Sequence, residues 1–232
     1  MLKYITSLII LCSCICWGQE QQPETIVQDS LVNQKKYGLR LGLDAGNLIR
    51  TIIDDRYVGF QILADYRFTD DIYFAGEIGN ETFDESLERV DFKTSGSFIK
   101  GGIDYNFYDN WLDMDNMIYA GLRAGYANMR QELNHYRINT DNTYFPSRNV
   151  FSNEEFKGLN AFWLEIQLGI KVEVLNNLYL LANLQLRRMV SENLPDGFDN
   201  LYVPGYGRTY DNGEVGAGYG YGIMYRIPLY KK

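Results

Sequence analysis

His135 is the one histidine of the chain, so it is the first place to look for acid–base chemistry. A Ser-His-acid hydrolase needs its histidine held by a carboxylate and placed beside a serine. The nearest serine in sequence is Ser147, in the same polar stretch. Small membrane barrels that cut lipids carry sites of this kind, which makes a lipid-modifying enzyme the alternative reading. A solvated histidine in a loop is the simpler one.

Asp113-Met114-Asp115-Asn116 has the oxygens of a calcium loop but lacks the glycine and the distal glutamate at the spacing an EF-hand requires. The run Gly216-Ala217-Gly218-Tyr219-Gly220-Tyr221-Gly222 is not a phosphate loop, because its period is two and no helix pattern follows. All three cysteines, Cys12, Cys14 and Cys16, fall near the start of the chain. Beyond them no thiol is available as a nucleophile, a metal ligand or a disulfide partner. We therefore expect no enzyme activity, no cofactor and no metal.

The start of the chain sets the compartment. Lys3 precedes an apolar run from Ile5 to Trp17, and small residues at Cys16 and Gly18 fit a signal-peptidase site. The run is too short for a transmembrane helix. Residues 1–18 are read as a signal peptide. Acylation at Cys14 is the competing outcome. Residues 19–36 are polar and without hydrophobic period, the pattern of a flexible periplasmic segment. The formal net charge of −8 becomes one unit more negative without Lys3, which excludes the basic face of a nucleic-acid binder.

From Tyr37 to the end the sequence alternates. Val58, Phe60, Ile62 and Ala64 oppose Gly59, Gln61, Leu63 and Asp65. Phe162, Leu164, Ile166, Leu168, Ile170 and Val172 oppose Trp163, Glu165, Gln167, Gly169 and Lys171. Eight such segments are present, starting near Tyr37, Val58, Ile72, Ile99, Ile118, Phe162, Leu178 and Ala217. Their connections alternate too. Tight turns are expected at Thr69-Asp70-Asp71 and Asn176-Asn177, with a moderate one from Tyr108 to Met117. Longer loops are expected over Asn47 to Arg56, Glu81 to Asp91, Arg130 to Lys157 and Val190 to Glu214. The expectation is an all-β chain whose residues 37–232 form an eight-stranded antiparallel up-and-down transmembrane β-barrel in the bacterial outer membrane.

Alternation alone also fits a soluble lipocalin-like carrier with its apolar face inward. Three features favour membrane: charges and glycines share one face, strands reach the 9–11 residues that cross a bilayer, and aromatics recur at strand ends. The polar face then encloses Arg40, Asp44, Asp65, Arg67, Glu77, Lys100, Asp104, Arg123, Glu165, Lys171, Glu173, Arg187 and Arg226. A barrel this narrow is filled by side chains, so these charges should pair in a closed lumen. Tyr73, Tyr119 and Trp163 fill what remains. Gly222, Tyr225 and Ile227 resemble the C-terminal signal read by the barrel-assembly machinery, although the chain runs on through Pro228 to Lys232.

The segment from Tyr108 to Tyr119, followed by Gly121-Leu122-Arg123, and the motifs Tyr37-Gly38-Leu39-Arg40, Asp54-Asp55 and Glu77-Ile78-Gly79-Asn80 resemble the domain-of-unknown-function 6048 family of Bacteroidota. That resemblance implies a small outer-membrane protein with no assigned reaction.

Trp111, Leu112 and Met114 are unusually apolar for a periplasmic turn, and Tyr202 and Tyr206 mark an aromatic, glycine-rich loop. Both are candidate partner contacts; self-packing over the barrel mouth is the equal alternative for the loop, and packing at the membrane interface the alternative for the turn. The expected partners are outer-membrane lipid and other outer-membrane or periplasmic proteins. The role this supports is a structural or accessory subunit, for instance of a complex handling outer-membrane protein assembly.

Overall fold

A computed structural model describes residues 36–108, 115–138, 148–209 and 214–231. Among them the wall is made of β1 (Lys36–Asp44), β2 (Tyr57–Arg67), β3 (Ile72–Ser86), β4 (Val90–Asn106), β5 (Met117–Ile138), β6 (Arg148–Leu175), β7 (Leu178–Glu192) and β10 (Val215–Lys231). A nine-residue helix, α1 (Ala45–Ile53), follows β1, and a two-strand hairpin, β8 (Tyr202–Val203) with β9 (Gly207–Arg208), follows β7. Every wall strand is antiparallel to its neighbours, and β1 pairs with both β2 and β10. The wall is therefore a closed eight-stranded up-and-down barrel, which leaves most backbone donors and acceptors paired around the ring.

The polarity of the wall is inverted relative to a soluble barrel. Leu41, Phe60, Ile78, Ile99, Leu122, Ile166, Leu184 and Tyr225 are exposed on the outside, whereas Arg40, Asp65, Lys100, Asp104, Arg123 and Glu165 are buried inside. A water-soluble carrier needs the reverse.

The end at which β1 begins and β10 ends, the base, has short connections. Phe68 N–H donates to the Ile72 carbonyl at 2.9 Å, and Thr69 Oγ1 accepts from Ile72 N–H. Between β6 and β7, Asn177 adopts φ 66°, which asparagine tolerates in a tight turn.

The other end, the mouth, departs from the sequence expectation. The stretch from Glu81 to Asp91 is not a loop: β3 continues to Ser86, β4 starts at Val90, and residues 87–89 make the turn. The stretch from Arg130 to Lys157 is largely strand as well, since β5 runs to Ile138 and β6 begins at Arg148. Most outward residues there are polar, Phe151 and Ile138 being exposed exceptions, so the apolar alternation of the outer wall fades while the hydrogen-bonded ladder goes on. Ile78, Ile99, Tyr126 and Phe162 lie side by side across β3 to β6, and the next outward set is Asn80, Ser97, Asn128 and Asn160. The rim is tall over β3 to β6 and low over β7, β10, β1 and β2.

Asn47 to Arg56 holds α1 instead of a loop. Asp44 caps it, accepting from Asn47 N–H at 2.8 Å. Leu48, Ile49, Ile52 and Ile53 recur with helical spacing, and all four remain exposed.

Candidate functional site: the lumen and its mouth

The lumen is a stack of layers. At its floor are Tyr73, Met117, Tyr119 and Tyr179, all buried. The Arg40 guanidinium lies 4.6 Å from the Tyr73 ring centre, and Lys171 Nζ lies 4.6 Å from that of Tyr119. Below, Asp115 closes the base: it takes Arg226 at 2.5 Å, Arg67 at 3.2 Å and the Tyr179 hydroxyl at 2.9 Å. Glu173 adds a second carboxylate to Arg226 at 3.1 Å.

Above the floor the charges form one connected network. Arg40 meets Asp65 at 2.5 Å; Lys171 bridges Asp65 at 2.7 Å and Asp104 at 2.9 Å. Arg123 meets Asp104 at 2.5 Å and Glu77 at 3.6 Å. Lys100 meets Glu77 at 3.2 Å and Glu165 at 3.3 Å, and Arg187 reaches Glu165 at 3.2 Å. Two glutamines knit the acids together: Gln61 donates to Glu77 at 2.7 Å, and Gln167 donates to Glu77 at 3.1 Å and Glu165 at 2.5 Å. A lone charge in this space would be strongly disfavoured, and mutual pairing offsets that cost. The cavity among Asp65, Glu77, Arg123 and Lys171 measures about 20 Å³, room for about one water molecule.

Of the thirteen charges placed in the lumen from the sequence, twelve enter these pairs. Asp44 does not, because it caps α1. Gln61 and Gln167 are placed on the inner face by the alternation but not in the ion network, and Asp115 is read there only as part of a polar turn. Asp115 sits in a turn whose strand register was not readable, and glutamines carry no charge signal.

The mouth is filled by the connection after β7. Residues 193–209 fold back over the tall wall, and the β8–β9 hairpin enters the barrel. Tyr202 stacks on Phe83 with ring centres 4.7 Å apart, and its hydroxyl donates to Glu81 at 2.7 Å. Gly205 N–H donates to the same carboxylate at 3.0 Å. Gly205 has φ +76° and lies against the Phe98 ring, so a side chain there has neither the backbone nor the space. Tyr206 packs edge-on against Trp163, and its carbonyl accepts from Arg187. Gln131 accepts from Leu201 N–H at 2.9 Å and donates to the Asp199 carbonyl at 3.1 Å. At the rim, Glu85 takes both Arg208 and Arg56.

For Tyr202 and Tyr206 the self-packing reading is the one realised. Both are 3% exposed and serve as a plug, not as a surface for partners. Sequence alone hid the tall inner face they pack on. Burial and the facing Glu81 carboxylate push the Tyr202 hydroxyl well above the ordinary tyrosine pKa.

Trp111, Leu112, Met114 and Ser147 lie outside the described residues. His135 belongs to the protruding part of β5, opposite Phe151 of β6, with ring centres 5.0 Å apart. Among the described residues no group of three or more His, Cys, Asp or Glu is arranged to hold a metal.

One larger cavity, about 590 Å³, lies at the mouth between α1, the β8–β9 hairpin and β10. Arg50, Lys100, Arg187 and Arg208 contribute positive charge to it, and Asp44, Asp54 and Glu81 negative.

A family model described as "Domain of unknown function (DUF6048)" matches residues 1–232. No curated protein matches the chain. Among solved structures it is similar to Ail, the attachment invasion locus protein of Yersinia pestis, at 13% identity and TM-score 0.41, over 83% of this chain and 98% of that one. It is similar at the same TM-score to Neisserial surface protein A, at 14% identity, over 84% of this chain and 97% of that one.

Proposed function

This chain belongs to the family described as domain of unknown function DUF6048, and from that premise we propose a closed, non-enzymatic outer-membrane barrel that acts as a structural or accessory subunit of an outer-membrane complex. One observation carries the reading: a lumen occupied by paired charges lies inside a wall whose outer surface is apolar. Such a wall belongs in lipid, and such a lumen conducts nothing. Because β1 enters and β10 leaves at the base, where the connections are short, we take the base as periplasmic and the tall wall as extracellular.

With the interior committed to packing, what remains for function is the exterior: the polar wall of β3 to β6, the α1 side of the mouth and the base turns. Rigid protruding sheet of this kind serves recognition or assembly better than turnover. Partner capture at Trp111, Leu112 and Met114 is part of the same proposal.

Affinity purification from membranes in mild detergent tests it. The expected result is a stoichiometric protein partner, reduced by Trp111→Ala. Recovery of the barrel alone counts against the subunit role, and extraction without detergent counts against the membrane itself. In planar bilayers the purified protein should give no steady nanosiemens-scale conductance.

A further inference from the structure

The wall has a seam. β1 stops at Asp44, which pairs with Gly222, and its pairing with β2 stops at Leu43 and Ile62. Toward the mouth, residues 215–221 of β10 and 57–61 of β2 therefore have no strand between them, and α1 occupies the gap. The helix packs against both strands, but its hydrogen bonds go to one side only. Thr51 Oγ1 accepts from Gly59 N–H at 2.9 Å, and Asn47 donates to Gln61 at 3.1 Å, both on β2. Arg50 lies over the Tyr57 ring at 4.0 Å. Among the described residues no hydrogen bond joins α1 to β10.

The 590 Å³ cavity opens along that unfastened side. Its lining is two-sided. Ile49, Ile53 and Tyr219 carry it out to the apolar surface, where Ile53 is 76% and Tyr219 71% exposed. Toward the polar lumen it is lined by Arg50, Arg208 and Gln185 and by three acids that are already engaged: Asp44 caps α1, Asp54 takes Arg56 at 2.9 Å and Glu81 accepts from Tyr202 and Gly205, while Arg208 is held by Glu85. The nearest carboxylate partner of Arg50, Asp54, is 3.7 Å away, which leaves guanidinium donors for a ligand. A site that is apolar on its outer side and offers the Arg50 guanidinium on its inner side matches a lipid with an anionic head.

We propose that the seam between α1 and β10 binds a phosphate-bearing amphiphile of the surrounding leaflet, its head in the cavity at Arg50 and its chains against Ile53 and Tyr219. This rests on the membrane reading above. Arg50 provides the charge-assisted contact, and the one-sided fastening of α1 lets the lipid enter sideways from the bilayer.

The test is native mass spectrometry of the full barrel in mild detergent, titrated with phosphatidic acid, with diacylglycerol of the same chains and with lipid A. One saturable phosphatidic acid or lipid A per barrel is expected. The tighter of the two identifies the source as phospholipid or lipopolysaccharide. Diacylglycerol should bind about tenfold or more weaker, the weight of at least one charge-assisted contact. Arg50→Glu should weaken the phosphate lipids by a similar factor. Ala217→Trp, which blocks the seam from outside, is the second variant should the first fail to fold. Equal binding of diacylglycerol, or unchanged phosphatidic acid and lipid A binding in the folded variants, overturns the site. Either result leaves the membrane reading intact if the protein still requires detergent for extraction.

Discussion

Lys171 and Asp65, 106 residues apart in sequence, meet at 2.7 Å across the centre of the barrel. Their strands, β6 and β2, stand opposite each other in the ring. The contact therefore spans the diameter of the lumen, unlike the pair of Arg40 with Asp65, which joins adjacent strands. Lys171 also holds Asp104 at 2.9 Å, so one ammonium ties three strands together.

Removing that ammonium leaves two buried carboxylates short of a cation. Breaking a buried pair by deleting one partner costs about 3–5 kcal/mol. Lys171→Met should lower the stability of the folded barrel by an amount in that range, read from urea unfolding in lipid vesicles. Lys171→Arg keeps the charge and should lose much less. Equal losses in both variants would place the effect in packing instead of in the ion network.

The plug gives a second prediction, with a pH sign. The Tyr202 pKa is raised in the folded chain, by burial first and by Glu81 second. A raised folded pKa means that the stabilisation is complete below the unfolded value of about 10 and is lost as the pH climbs beyond it. The connection over residues 193–209 should therefore become sensitive to proteolysis at alkaline pH while the wall stays folded. Tyr202→Phe removes a hydrogen bond to a charged group, worth about 1.5–3 kcal/mol. It should loosen the plug at neutral pH and flatten the alkaline rise in cleavage.

Much of this architecture was readable in the residues, and the misses have a common physical cause. Alternation reports a wall with unlike surroundings on its two sides. Phe162 to Val174 has an exposed apolar face on one side and a polar lumen on the other, and its strand is plain in the sequence. Glu81 to Ser86 and Arg130 to Ile138 have water outside, so their outward residues lost the apolar signal although the ladder continued. The inner residues Glu81, Phe83, Gln131 and Leu133 mix polar with apolar because they face a plug, not a bilayer. Helix α1 did leave a trace: Leu48 and Ile52, like Ile49 and Ile53, stand four apart. Which charges occupy the lumen followed from the face they share. Which charge meets which did not, because the tilt and register of the closed ring decide that Lys171 reaches Asp65.

Gly125 and Trp163 are register partners on β5 and β6, and the indole of Trp163 lies over the glycine. A Cβ at Gly125 would come within 2.2 Å of the indole. Trp163 is fully buried and packed by Tyr206, so it has nowhere to retreat except into the plug. Gly125→Val should destabilise by about 1–3 kcal/mol, the usual cost of overpacking, and should alter the near-ultraviolet circular dichroism of the tryptophan. Adding Trp163→Phe to the same chain should recover part of the loss. No recovery would mean that the glycine is needed for the backbone of β5 and not for the ring.

The outer surface supplies the most direct measurement of where lipid ends. Leu184 lies within the apolar outward run of β7 and is 68% exposed. Thr82 faces outward on β3, beyond Asn80, where the wall turns polar. An arginine at the middle of a bilayer costs a barrel about 2–4 kcal/mol, whereas a polar surface position tolerates it within about 0.5 kcal/mol. Leu184→Arg should therefore lower folding stability in vesicles by the larger amount, and Thr82→Arg should leave it nearly unchanged. In a soluble barrel both side chains would face water, and the arginine at position 184 would be harmless or would improve solubility. Equal, small effects at the two positions would remove the membrane reading, and with it the seam as a lipid site. A large effect confined to Leu184→Arg would put the boundary between these two positions, in keeping with the change from the Ile78 row to the polar Asn80 row.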